Sequence, residues 1–296
     1  MASKTLFLKL FQPYAQYRNP FTFYYAQTYP LPPKSTIVGM LQNAMDDWYG
    51  TQYGYSWDEL DVSIHGVFES VFWNYQNLIK GYPTLEDGRL VLETQGQGEK
   101  SAKQLPLYGQ GKTAQRSPVY QQELFNGRLY VFLKMRDGGD GLLEELYLRL
   151  DKPKKVLSLG RSEDVIFIKN VVLLNNNDIE KVNVEGDIKI TYPTYILLEK
   201  EMGDHRVRFP ISNQKYPVFY LPRKSRFYNG DKPVKYKSEI KLKNTRREAE
   251  FTPVIYTATD YSIILSSDAS IEVEFYKVES ESNCSEFRII SGWGWL

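Results

Sequence analysis

Thr28-Tyr29-Pro30-Leu31-Pro32-Pro33-Lys34-Ser35-Thr36-Ile37-Val38-Gly39-Met40-Leu41 joins a stiff proline arm to the start of a helix. Pro32 and Pro33 push their neighbours into extended geometry, and Ser35 is the expected N-cap. Ile37, Met40, Leu41, Ala44, Met45 and Trp48 then recur at helical spacing as one apolar stripe. The stripe predicts a helix buried along one face, with Lys34, Ser35 and Thr36 at an exposed end. A helix start flanked by a cation suits a phosphate, because free amides and the helix dipole both favour negative charge there. A capped amphipathic helix in an ordinary core accounts for the same residues without any ligand.

The pattern continues on either side. Thr5 to Phe11 reads as a strand before the arm, and Val62 to Trp73 as a β-branched and aromatic strand after the helix. From Glu93 to Gln122 aliphatic residues are few and Gln and Gly are many, over a length that exceeds any ordinary turn. Arg128 to Met135 resumes strand alternation, with Leu129, Val131, Leu133 and Met135 on one face and Tyr130, Phe132 and Lys134 on the other. Asp140 is placed to cap a second helix, Gly141 to Leu150, whose buried stripe is Leu142, Leu143, Leu146 and Leu150. Glu145 and Arg149 form an i,i+4 pair on it, and Pro153 ends it. Val165 to Leu174 is a last strand. Strand, helix, strand, long insertion, strand, helix, strand is the ferredoxin-like βαββαβ order of the α+β class. The expected division is a core over residues 1–175 and a β-rich region over 176–296, ending in Gly292-Trp293-Gly294-Trp295-Leu296.

An N-terminal strand, an aromatic run, the threonine-tyrosine-proline arm into "STIVGML", and Leu157-Ser158-Leu159-Gly160-Arg161-Ser162-Glu163-Asp164 downstream make a specific combination. Over residues 4–175 the chain resembles the fifth Cas protein family of type I CRISPR systems (Cas5), on the type I-B branch. The resemblance implies an RNA-recognition-motif-like core with a thumb hairpin at about Glu93 to Leu124. It also implies a non-catalytic subunit of a Cascade complex that caps the five-prime handle of the guide RNA and contacts the backbone and large subunits. Target DNA near its flanking motif is a further candidate partner.

In that setting Lys34, Ser35 and Thr36 would hold a handle phosphate. Lys100, Lys103, Lys112 and Arg116 of the thumb would lie against RNA, and Tyr108 or Tyr120 would stack its bases, as suits a single strand. Arg161, in a glycine turn, would meet RNA phosphate or another subunit, or would instead pair with Glu163 or Asp164 and fix its own turn.

Type I-C members of the family cut precursor CRISPR RNA without metal, through a tyrosine and a lysine-histidine dipeptide. Here Ile64 precedes His65 and Asp204 precedes His205, so the dipeptide is absent, and neither histidine lies in a metal-ligand spacing. No catalytic residue, metal or cofactor is therefore expected. A metal-independent endoribonuclease and a protein adaptor without RNA contact are the alternatives. Gly109-Gln110-Gly111-Lys112-Thr113 imitates the end of a phosphate-binding loop, but Pro106 stands where its first glycine is required. Gly127-Arg128-Leu129-Tyr130-Val131-Phe132 likewise lacks the glycine and aromatic spacing of the ribonucleoprotein motif.

Net charge is only +1, yet Arg223, Lys224, Arg226, Lys232, Lys235, Lys237, Lys241, Lys243, Arg246 and Arg247 crowd one stretch against Asp231 and Glu239. With Phe227, Tyr228 and Tyr236 interleaved, this stripe could track nucleic acid or another subunit, or form a solvated hairpin whose lysines guard a sheet edge. A single cysteine, Cys284, excludes an internal disulfide framework. The polar start Met1-Ala2-Ser3-Lys4 and the lack of a membrane-length apolar run make the cytoplasm the expected compartment and leave no membrane partner.

Overall fold

Ile37, Met40, Leu41 and Met45 are buried on one side of helix α1 (Lys34–Met45), as their spacing predicts. The computed structural model describes residues 4–22, 25–47, 57–79, 82–86, 89–93, 116–136, 140–176, 179–212, 216–234, 245–257, 262–280 and 283–296. Strand β1 (Lys4–Ala15) and the short β2 (Tyr25–Ala26) precede α1. After it come β3 (Leu60–Ile79), the hairpin β4 (Tyr82–Glu86) and β5 (Arg89–Glu93), β6 (Arg116–Met135), α2 (Asp140–Asp151) and β7 (Phe167–Asn175). The remainder supplies β8 (Glu180–Glu185), β9 (Asp187–Lys189), β10 (Thr194–Leu197), β11 (Glu199–Met202), β12 (His205–Arg208), β13 (Val218–Asn229) and β14 (Lys232–Pro233). It ends with β15 (Thr245–Thr257), β16 (Ser262–Ile264), β17 (Ser270–Ser280) and β18 (Asn283–Ile290).

The chain divides into two compact units. Met1–Tyr17, Tyr29–Val71 and Leu124–Leu296 form the first, Arg18–Thr28 and Phe72–Glu123 the second. In the first unit the main sheet runs β14-β13-β15-β10-β3-β6-β1-β7. Pairing is antiparallel between β1 and β6, from Leu6↔Leu133 to Ala15↔Leu124, and between β1 and β7, with a register shift at Lys9/Leu10. Leu6, Leu8 and Leu10 alternate with Leu129, Val131 and Leu133 on the face that α1 and α2 cover, and all six are essentially buried. At about 1.5 to 3 kcal/mol for each such side chain, this layer is the main apolar contribution to the fold. On the other face Phe7, Tyr130 and Phe132 pack against Tyr276, Val278, Phe287, Ile289 and Trp295, brought by the small sheet β18-β17-β8 and the chain after it. Residues beyond 175 therefore complete the core of the first unit.

The proline arm is held by two tyrosines. Pro30, Pro32 and Pro33 have no amide hydrogen to give, so Leu31 is the arm residue that must satisfy both its backbone groups. The Tyr195 hydroxyl accepts from the Leu31 amide at 3.0 Å and donates to the Leu31 carbonyl at 2.8 Å, while the Tyr29 hydroxyl donates to the Tyr220 carbonyl at 2.6 Å.

In four places the structure corrects the sequence reading. Pro33, not Ser35, is the residue before the helix: its extended backbone (φ −64°, ψ 158°) provides the cap position with no side-chain hydrogen bond, and its carbonyl receives the Thr36 and Ile37 amides. Strand β6 begins at Arg116 rather than at Arg128, and so includes residues 116–124 of the expected thumb hairpin, and β3 extends to Ile79 rather than ending at Trp73. Asp140 is the first residue of α2 rather than its cap. Residues 94–115 of the expected thumb and Trp48 of the apolar stripe lie outside the described residues.

Candidate nucleic-acid interface

Lys34 is not at the surface. It is 3 % exposed, and its Nζ donates a 2.9 Å hydrogen bond to the Leu296 carbonyl. Burial, opposed by Asp61 and reinforced by Arg223 and Arg136, pulls its pKa down from 10.5 to about 7. A helix-start lysine lies inside because the following chain, Gly292 to Leu296, folds back beside β3, where Val62 exchanges backbone bonds with Leu296 at 3.3 and 2.9 Å. Ser35 and Thr36 are half-buried in the first turn of α1. The expected exposed cation at this helix end is therefore corrected: Lys34 is a buried tether.

Arg161 is likewise committed internally. Its guanidinium contacts Asp164 through Nε (3.1 and 3.2 Å) and Nη2 (2.8 Å), and Glu163 lies 3.3 Å away. The fully buried Asp164 carboxylate also accepts the Gln16 and Arg161 amides at 3.0 and 2.9 Å. Gln12 Nε2 donates to the Leu159 carbonyl at 2.7 Å, which ties this turn to β1. The turn requires Gly160, whose φ is +111° and whose missing Cβ would lie 2.8 Å from the Gln16 carbonyl. "LSLGRSED" is thus a turn lock, the local-pairing alternative for Arg161.

Within the second unit Tyr120 lies in an exposed aromatic group that sequence spacing did not disclose. Parallel pairing of β2 with β6 brings Tyr25 opposite Tyr120, and Trp73 and Tyr75 occupy alternate positions of β3. Tyr25 and Trp73 meet edge to face at 6.2 Å, Tyr75 and Tyr120 at 5.3 Å, and the four are 61 %, 48 %, 53 % and 48 % exposed. Exposed clustered rings can stack unpaired bases. The alternation of β3 was legible; a two-residue strand pairing with β6 was not. The side chain of Arg116 and all of Lys100, Lys103, Tyr108 and Lys112 lie outside the described residues.

The basic stripe is a cross-strand hairpin in which Asp58 and two acids just past its sequence limits, Glu248 and Glu250, answer several cations. Lys224 pairs with Asp58, Arg226 lies 3.7 Å from Glu250, and Arg246 lies 2.9 Å from Glu248. Arg246 also lies over the Tyr228 ring at 5.8 Å. Arg223 is exposed, whereas Lys235, Lys237 and the side chain of Arg247 fall outside the described residues.

His65 is 2 % exposed, bonds to Ser63 Oγ at 3.1 Å and meets Phe132 and Phe287 edge-on; burial lowers its pKa to about 3. It is a packed core histidine. His205 is exposed on β12. Among the described residues no group of His, Cys, Asp or Glu is arranged to hold a metal, and no helix is long and apolar enough to cross a membrane.

A family model described as "CRISPR-associated protein (Cas_Cas5)" matches residues 5–226. The chain belongs to the Cas5 family. The matched region contains α1, α2, all of β1 but its first residue, β2 to β7 and the turn lock of this Cas5-family chain. No curated protein sequence matches it. Among solved structures, a chain of a CRISPR RNA-guided surveillance complex is 12 % identical, with 88 % of the Cas5-family chain and 91 % of that chain covered and a TM-score of 0.46. A Cas protein crystal structure is 14 % identical, with 89 % and 96 % covered and a TM-score of 0.37. A CRISPR protein from Archaeoglobus fulgidus is 11 % identical, with 96 % and 99 % covered and a TM-score of 0.35.

Proposed function

We propose that this Cas5-family chain is a non-catalytic, guide-RNA-binding subunit of a type I CRISPR effector complex, with the type I-B branch as its setting. The observation that carries RNA binding is the exposed quartet Tyr25, Trp73, Tyr75 and Tyr120, which offers ring faces and edges to unpaired bases. The strand order β3-β6-β1-β7 with α1 and α2 on one face supports a ferredoxin-like core. In this reading the thumb cations Lys100, Lys103, Lys112 and Arg116 follow the five-prime handle, and the backbone and large subunits flank it. Burial of His65 supports a non-catalytic role, since general-base work on a ribose hydroxyl needs an accessible imidazole.

The test is a titration of the full chain with its labelled repeat RNA. Binding without cleavage is the expected result, and Trp73→Ala should weaken it by about 1 to 3 kcal/mol, the range for one lost stacking partner. Cleavage by the pure protein would favour the endoribonuclease, and absence of binding the adaptor.

A further inference from the structure

We infer that the outer face of β1, β6 and β7 carries a second stacking platform for single-stranded RNA, centred on Phe11 and Phe167; the inference rests on the RNA-binding function proposed above. The small sheet β18-β17-β8 covers this face over Phe7, Tyr130 and Phe132. One step along β1 the character changes. Phe11 is directly opposite Phe167 on β7 and opposite Arg128 on β6, which puts the three side chains on one face. The rings are 6.1 Å apart at 33°, and Phe167 is 49 % exposed.

A register shift at Lys9/Leu10 leaves Lys169 as the unpaired residue of β7, and its Nζ lies 5.7 Å from the Phe11 ring and 5.8 Å from the Phe167 ring. A bulge re-aims a side chain in this way. Lys9, Arg128 and Lys169 form no ion pair among the described residues, and residues 7–13, 125–132 and 166–171 include no Asp or Glu. Lys134 further along the face, by contrast, sits 3.9 Å from the Glu274 carboxylate.

The exposed Phe167 ring and the half-buried Phe11 ring, beside three cations that form no ion pair among the described residues, match a polyanion with flat apolar bases. A base stacks on a ring face while its flanking phosphates meet ammonium and guanidinium groups. The ribonucleoprotein motif is absent from β6, but β1 and β7 supply aromatics to the same sheet face. An acidic protein segment would satisfy the cations yet leave the two rings without stacking partners, so RNA is the better match.

The test uses the full chain and a short single-stranded RNA carrying 2-aminopurine, whose fluorescence falls when it stacks. Phe11→Leu/Phe167→Leu keeps apolar volume and removes both π-faces; the expected result is loss of the quench and about 5-fold or more weaker binding. Lys169→Ala should flatten the dependence of log affinity on log salt by about 0.7, the value for one phosphate contact on a single strand. Thermal unfolding of each variant checks that it is folded. A folded double leucine variant with unchanged quench and affinity overturns this platform while leaving RNA binding intact. A wild-type chain that binds no RNA overturns both. Loss of assembly with partner subunits, with RNA binding unchanged, would make the face a protein contact and overturn the platform.

Discussion

The Lys34 ammonium reaches across the fold to the Leu296 carbonyl, so the first residue of α1 and the segment after β18 hold each other in the interior. The bond satisfies a buried donor, but burial still disfavours the charged form.

Stability should therefore depend on pH through this one side chain. In the unfolded chain Lys34 titrates at its ordinary 10.5, and in the fold at about 7. Between those values the unfolded state holds a proton that the folded state has released, so stability rises with pH across this window by up to about 1.4 kcal/mol per unit. Below pH of about 7 both states are protonated and the penalty is constant. Denaturant unfolding from about pH 6 to 9.5 should show the rise in the wild type and a shallower one in Lys34→Met. Parallel curves would mean that the ammonium remains charged inside.

Glu274 gathers the aromatic tail. Its carboxylate accepts from Tyr276 OH at 3.0 Å, Trp295 Nε1 at 3.2 Å and Ser291 Oγ at 3.2 Å while only 4 % exposed. Glu274→Ala should cost about 2 to 4 kcal/mol, since it orphans several buried donors at once, and Glu274→Gln clearly less. Equal midpoints for the two variants in urea would refute that ordering.

Gly160→Ala should lower stability by about 1 to 3 kcal/mol through backbone strain, more if the Gln16 carbonyl cannot retreat. Asp164→Asn tests the same turn from the other side by keeping shape and removing the charge that holds Arg161. Both should shift the thermal midpoint downward; an unshifted Gly160→Ala would show that the turn relaxes.

Incubation with repeat RNA, in magnesium or in EDTA, should leave it intact, and His205→Ala should not change that outcome. Specific cutting that His205→Ala abolishes would assign the exposed histidine a chemical role.

The helices, β1, β6 and β7 were legible because their periodicity is strong: Ile37 to Met45, Leu142 to Leu150, and Leu129 to Met135 each keep one face apolar. The charged ends were not. Lys34 reads as a surface cation in any local window, and only a contact with Leu296, at the far end of the sequence, takes it inside. Arg161 reads equally as a phosphate ligand or a local partner in sequence, and the spacing alone does not show that Asp164, three residues on, binds it as well as two backbone amides. Phe11 and Phe167 are neighbours through strand pairing, not sequence distance, so no local window joins them. The same holds for Tyr25 beside Tyr120.

The exchange of backbone bonds between Val62 and Leu296 has a temporal side. A ribosome adding roughly 5 to 20 residues per second delivers Leu296 more than about ten seconds after Val62. During that interval the lower end of β3 and the underside of α1 await their partners, with open strand edges and uncovered apolar area. Nascent chains stalled before Gly292 should therefore be the species that chaperones retain and proteases clear.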